Sequence, residues 1–426
     1  MDRPDRDRTP AGPGTGLTVL LAVACGLSVA NVYYAQPLLE PIGADLNVPV
    51  QDLGLVTTVT QAGYLLGLVL LVPLGDLINR RRLIVGQALV ASAALAGVGL
   101  SNDAAVFFVA SAVVGLVSVI VQVIVAYAAV LSAPEQRGHI VGVVTSGVVI
   151  GILLARAVSG VIAELLGWRA VFFISAGLML ALAATLRQML PQDRVARERV
   201  SYFGLISSVI TLTARDRVFR IRSLIGLFMF GGFGTVWGSI ALPLAAAPWH
   251  LSTTQIGLFG IAGAAGALGA ARAGRLADRD LAQWVSGISL VLFTVSWAAI
   301  GAAPHSLILL GVGLVILDFA GQSLHVTNQH LIVETDPTAS SRMIGSYMVY
   351  YSIGTGGGAI AATSLYAVAG WRAVSILGAT FATLALLIWG ADRQRARTTQ
   401  RRSGVYSSTS AASIRGAGSR VPAEPE

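Results

Sequence analysis

The chain has 426 residues, 55% of them hydrophobic and only 12% charged, with a mean hydropathy of +0.74. That is about half the usual ~25% of charged residues, which excludes a water-soluble globule, and so apolar a chain is not a disordered one. The basic residues are all arginine, and the net charge is +8; on a soluble protein this excess would suggest nucleic acid, but here we expect the arginines to be sorted by membrane side.

Residues 1–16 are polar, mixed in charge and rich in Pro and Gly, and are expected to form a flexible arm. The first apolar run lacks a basic lead and a cleavage site, so it reads as a span and not a signal peptide. A helix needs about 20 apolar residues to cross a bilayer. Twelve such runs are predicted, at 17–38, 52–75, 83–101, 104–131, 138–166, 169–190, 221–247, 255–274, 281–303, 305–332, 342–368 and 371–390. The fold class is therefore an all-α membrane protein. Cys25 lies inside the first run as a small packed residue, with no disulfide framework or cysteine metal cluster possible. The polar stretch 191–220 separates a six-helix half at 17–190 from a second at 221–390, and 391–426, rich in Arg, Ser, Gly and Pro, reads as a disordered tail.

Connections after the odd-numbered spans are short and carry Glu40, Asp45, Asp103, Glu164, His250 and His305, with Arg169 and Arg372 at helix starts. Every other arginine except Arg156 falls on the opposite side. By the positive-inside rule that side is cytoplasmic, and an even number of spans places both termini there. Basic residues beside a membrane can also hold anionic lipid, although topology alone accounts for them.

The two halves repeat. At an offset of 203, Pro134 meets Pro337, Gly142 meets Gly345, Gly151 meets Gly354, and Trp168-Arg169-Ala170-Val171 meets Trp371-Arg372-Ala373-Val374. Trp, Arg and Pro are rare here, so one register with several identities is not accidental. Parallel six-helix repeats are a transporter architecture, with a site near the midplane where the halves meet.

Motifs on this frame resemble those of the major facilitator superfamily, over about 17–390. Pro73-Leu74-Gly75-Asp76-Leu77-Ile78-Asn79-Arg80-Arg81-Arg82 is similar to the family's loop between helices 2 and 3, and Gly274-Arg275-Leu276-Ala277-Asp278-Arg279 is its counterpart. The resemblance implies that Asp76, Arg80, Arg81, Asp278 and Arg279 form a conformational latch through charge-assisted hydrogen bonds; topology plus a helix cap is the plainer account. In the fifth span Gly142, Gly151, Ala155, Arg156, Ser159 and Gly160 stand in register with the antiporter-type glycine motif, with Ala155-Arg156 in place of its Gly-Pro. Gly147, Gly151, Ala155 and Ser159 make one smooth face, and the eighth span offers Gly257, Gly260, Gly263, Gly266 and Gly269. These two faces are expected to pack together where the halves meet. The family's R-x-x-x-G in helix 4 keeps Gly115 but has Ser111 for the arginine, and Arg156 is a candidate to supply that charge. Asn31-Val32-Tyr33-Tyr34-Ala35-Gln36-Pro37 looks like the signature of a bacterial exporter-like subgroup; its tyrosines suit a cavity wall or an interfacial belt.

An ionisable residue deep in a span is a functional candidate by default. Arg156 and Asp318 lie near the middle of their spans. Asp318, Gln322, His325 and Gln329 share one helix face, and a polar stripe on an apolar helix faces protein or a cavity. Asp318 is a candidate proton carrier, because desolvation and a nearby guanidinium act on a carboxyl in opposite senses. Arg156 would be its charge partner or an anion contact, and a static buried pair is the alternative. His325 is a second proton candidate or a hydrogen-bonded structural residue. Asn31, Tyr34, Gln36, Gln61, Tyr64, Gln122, Trp237, Gln322, Gln329, Tyr347, Tyr350 and Tyr351 are candidates to line an aromatic and polar cavity or to be ordinary packing.

Gly354-Thr355-Gly356-Gly357-Gly358 follows no strand, so it is not a nucleotide loop. His325 and His330 have no acidic partner at metal spacing. No cofactor, metal or enzymatic activity is expected. The expected partners are a small-molecule substrate, protons and membrane lipid, with no nucleic acid, and the expected state is a monomer. The resemblance implies a secondary transporter in a cell membrane, by preference a proton-coupled exporter of a small organic compound. The alternatives are an uptake carrier or facilitator for a metabolite or organic anion, and a non-transporting receptor or scaffold.

Overall fold

The computed structural model describes residues 14–133, 136–191, 213–277, 279, 281–335 and 340–417. The expected arm and linker lie mostly outside them. Among the described residues, twelve helices cross the molecule: α1 Thr15–Ala30, α2 Gly54–Leu70, α3 Arg80–Leu100, α4 Ala104–Leu131, α5 Arg137–Leu166, α6 Trp168–Met189, α7 Arg217–Trp237, α8 Thr253–Leu276, α9 Ala282–Gly301, α10 Leu307–Val333, and α11 and α12 within Ser340–Ala417, where Gly370 divides them. Helical backbone continues past 390 to Ala417, where the sequence reading expects a disordered tail.

Helix starts follow capping chemistry. Asp103, Asp216 and Ser306 each accept a hydrogen bond from a backbone N–H in the first turn of α4, α7 and α10. Gly167, with φ of 83°, turns α5 into α6, and Gly370, with φ of 67°, turns α11 into α12. The repeat offset carries one glycine onto the other. Only a residue without a Cβ adopts this conformation cheaply, and each is followed by the Trp-Arg pair of the repeat.

Each half has its own apolar core, running from Leu21 to Leu190 and from Phe219 to Ala385. Leu242 packs into the first core, and Leu68 and Val119 pack into the second. At the arginine-poor end, Gly54 N–H donates to Thr363 Oγ1 at 3.0 Å and Thr58 Oγ1 to the Gly356 carbonyl at 2.8 Å. Thr253 Oγ1 donates to the Gly160 carbonyl at 3.0 Å, and the Glu164 carboxylate accepts from Ser252 Oγ at 2.7 Å and Thr254 N–H at 3.2 Å. Glu164 thus crosses from α5 onto the first turn of α8, where helix N–H groups favour an anion. Within the first half the same end is tied by the Asp45–Arg169 ion pair and by Trp168 Nε1, which donates to Asp45 at 3.1 Å.

The expected packing of the two small-residue faces needs correction. A Cβ on Gly147 would sit 2.0 Å from the Ala22 carbonyl oxygen, and one on Gly151 2.3 Å from that of Gly26, so this stripe of α5 packs on α1 of its own half. A Cβ on Gly266 would meet Gln322 of α10 at 2.8 Å, while Gly263 keeps only an ordinary 3.8 Å approach to Leu153. Ala155 and Ser159 are buried, and Ser159 Oγ donates to the Arg156 carbonyl. The close α5–α8 approach is made by Gly160 against Thr253 and by Gly257 and Gly260 against Arg156. Periodicity identifies a smooth face; it does not say which neighbour lies against it.

Candidate functional site

The first helix of each half breaks at equivalent depth. After α1, Asn31–Ala35 are turns and Gln36–Leu38 a 3₁₀ turn around Pro37; after α7, Gly238–Ser239–Ile240 form turns before Ala241–Ala245. Irregular backbone at membrane depth is tolerated only where protein covers it. Here it is covered by side chains of both halves, and they make the site.

Arg156 of α5 is its centre, 5% exposed. Its Nε donates to Gln36 Oε1 at 2.7 Å, in the break after α1. Its guanidinium lies 3.9 Å from the ring centre of Trp237 on α7 and 5.1 Å from that of Tyr33. A guanidinium over a buried aromatic face is worth up to about 2 kcal/mol. Asp318 of α10 is buried nearby and interacts electrostatically with Arg156, but the two form no direct ion pair. Its Oδ2 and the Trp237 indole N–H are both buried and neither completes a hydrogen bond of normal geometry, but the indole is the donor directed at the carboxylate. A buried carboxylate with an unanswered oxygen is energetically exposed to anything that neutralises it.

Around this centre runs a belt of tyrosines. Tyr33 and Tyr351 join hydroxyls across the halves at 3.0 Å, and Tyr351 stands edge-on to Phe230 with ring centres 4.2 Å apart. Tyr64 accepts from Gln122 Nε2 at 3.3 Å, and its ring centre lies 6.4 Å from that of Tyr351. Gln61 is buried against Gly356 of α11. His325 is held inside the second half. Its Nε2 accepts from Gln329 Nε2 at 3.2 Å, which leaves the Nδ1–H for the Tyr347 hydroxyl, also at 3.2 Å.

Two expected wall residues lie elsewhere. Tyr34 belongs to the core of the first half, and its neighbour Tyr33 faces the site. Tyr350 bonds Thr213 at 2.7 Å and stacks edge-on with Phe219, while Tyr351 faces the site. Adjacent residues on a helix point about 100° apart, so a tyrosine pair always leaves one to choose. Asn31 accepts from Ser175 at 2.7 Å; with Gln36 and Ser111 it lines a cavity of ≈ 20 Å³ inside the first half, room for about one water. Gln322 packs on Gly266 of α8.

The family model of the Major Facilitator Superfamily matches residues 21–237 and again 222–420. The chain belongs to that superfamily. It is similar to the uncharacterized transporter YgaY of Escherichia coli O157:H7, 40% identical over 398 residues that cover 93% of this chain and all of the relative. It is 26% identical to a chloramphenicol resistance protein of Streptomyces lividans, over 81% of this chain and 88% of that one. Its fold matches a bacterial homologue of the human lysosomal transporter Spinster, crystallised inward-facing and occupied, with a TM-score of 0.75, 15% identity and coverage of 89% and 97%. The protein is thus a multi-pass membrane transporter of the major facilitator fold, and not an enzyme.

The facilitator-type latch is only partly within view. Asp278 and the Asp76 side chain lie outside the described residues. Arg81 donates to the Arg187 carbonyl at the end of α6, Arg80 is half-buried, and Arg279 is exposed.

One buried charge escapes a sequence reading. Arg222 of α7, 2% exposed, donates to Gln283 Oε1 at 2.7 Å, Ser286 Oγ at 3.0 Å and Asn328 Oδ1 at 3.4 Å. In the sequence it is one more arginine of a basic cluster. The one sign available was that the predicted seventh span, 221–247, already takes it in.

Proposed function

We propose that this transporter exports a small organic compound in exchange for protons, alternating between states open to opposite sides of a cell membrane. The observation that carries the reading is Asp318: a buried carboxylate, at the seam between the halves, beside an arginine that is engaged elsewhere. A proton or a closer approach of Arg156 can each neutralise it, and each favours a different fit of the halves. Asp318 is the proton carrier in this reading, since His325 has both ring nitrogens occupied within one half. Tyr33, Tyr351, Trp237 and Phe230 form the aromatic contact for cargo. The relative named for chloramphenicol resistance supports export of an organic compound. The arginine-rich end is cytoplasmic by its charge, both termini lie there, and the protein works as a monomer with the latch at 76–81 and 278–279 holding one state.

The second reading, uptake or facilitated passage of an organic anion or metabolite, is favoured by Arg156 itself: no carboxylate pairs with its guanidinium. Purified protein in liposomes, challenged with a compound panel under an imposed pH gradient, separates them. Export coupled to protons gives accumulation driven by the gradient and lost in Asp318→Asn. Flux indifferent to the gradient overturns the coupling, and anion-selective flux that survives Asp318→Asn but not Arg156→Gln selects the second reading.

A further inference from the structure

At the arginine-rich end, on the outer flank of the second half, α9 and α12 enclose a cleft of about 600 Å³. Gln283 and Trp284 line one side, and Trp389, Arg393 and Gln394 the other. None of these residues belongs to the central site. The cleft wall is held from within. Arg222 donates to Gln283 Oε1, and because a guanidinium cannot accept, the amide oxygen is committed inward. Only the NH₂ of Gln283 is left for the cleft. The Trp389 ring packs over Gly287, where a Cβ would approach it to 2.5 Å.

The charge of the cleft is positive. Arg393 is half-buried in its wall and has no hydrogen-bond or ion-pair partner among the described residues. Arg222 behind the wall hydrogen-bonds to neutral oxygens. The adjoining carboxylate, Asp392, is answered by Arg217 at 2.8 Å. Asp392 also acts electrostatically on Arg222, so the guanidinium left without a carboxylate partner among the described residues is Arg393, in the cleft itself. The flank continues as an apolar lane. Trp284 is 65% exposed, and Ile288, Val291 and Val295 follow on the same face of α9 at 58%, 48% and 59%. Donors above, tryptophan at the rim and an apolar lane below match the profile of a phospholipid at the membrane interface.

We infer that this cleft binds the phosphate headgroup of an anionic phospholipid, with Arg393 and the Gln283 amide on the phosphate and an acyl chain along α9. A soluble phosphate would find the same donors but would leave the lane unused.

The test uses the full chain purified in neutral detergent and examined by native mass spectrometry with phosphatidylglycerol, phosphatidylcholine and inorganic phosphate as probes. Phosphatidylglycerol is expected to be retained about fivefold better than phosphatidylcholine, the effect of one arginine near an anionic headgroup. Arg393→Gln removes the preference, whereas Arg272→Gln, an exposed arginine on α8, leaves it. Gln283→Glu removes it too, and keeps the fold because the new carboxylate pairs with Arg222 while turning an oxygen to the cleft. Equal retention of the two lipids overturns the proposal, as does a preference that survives Arg393→Gln. Displacement of phosphatidylglycerol by inorganic phosphate overturns the lipid in favour of a soluble anion.

Discussion

Arg156 and Arg222 are both buried arginines on spanning helices, yet they are held in opposite ways. Arg222 sits inside one half, where three neutral oxygens from α9 and α10 take its donors. Arg156 sits where the halves meet, with one amide oxygen and two aromatic faces. A cation whose hydrogen bonds are all made within its own rigid body is a fixture of that body. One held by groups from both halves, with a carboxylate near but not bonded, can change partners when the halves move. Satisfaction marks structure, and incomplete satisfaction at a moving seam marks function.

Substitutions test that contrast. The largest effect on stability is expected for Arg222→Ala, which strands Gln283, Ser286 and Asn328: a loss of about 3 kcal/mol, read as a lower unfolding midpoint. Arg156→Ala is expected to cost less, about 2 kcal/mol of stability, while reducing flux at least about tenfold; equal destabilisation by the two would break the comparison. Asp318→Asn is expected to keep the unfolding midpoint near that of the parent, because the amide keeps an oxygen for the Trp237 indole N–H and no direct ion pair is broken, while removing the response to a pH gradient in liposomes. Glu164→Gln weakens the seal between α5 and α8. Thiol labelling from the arginine-poor side, at a cysteine placed at Gln122 in a Cys25→Ser background, is expected to rise about twofold. The smallest effect concerns Asp45. The Arg169 guanidinium holds its carboxyl below the usual carboxylate range. Its contribution is therefore complete at neutral pH and is lost as pH falls through the folded-state value. An exposed pair contributes little, so Asp45→Asn is expected to shift the thermal midpoint slightly at pH 7 and not at all in strong acid.

The fold was largely legible because the bilayer imposes a simple rule on the chain. A run of about 20 apolar residues must be a helix, since no water is there to satisfy its backbone. The candidate site was legible only in part. Arg156, Asp318, Gln36, Trp237 and the Tyr64–Gln122 pair were visible as polar groups in apolar runs, and the structure gathers them. Tyr34 was a wall candidate where its neighbour Tyr33 faces the seam, Tyr350 and Tyr351 were both candidates of which only Tyr351 faces it, and Arg222 was lost among arginines that set topology. Each miss concerns rotation about a helix axis or depth along it, which composition does not encode.

The sequence by itself determined the twelve spans, the two-fold repeat that places Gly167 on Gly370, and the division of the ends by charge. These follow from local hydrophobicity and from backbone conformations that only glycine adopts cheaply, so they need no neighbour to be read. Only the tertiary structure decided that Gly147 and Gly151 serve α1, that Tyr33 and Tyr351 meet across the seam, and that Arg156 lies on Trp237 and not against Asp318. Those outcomes depend on which helix lies beside which, and in a bilayer that choice is made by close packing and polar contact between helices whose apolar surfaces are otherwise alike.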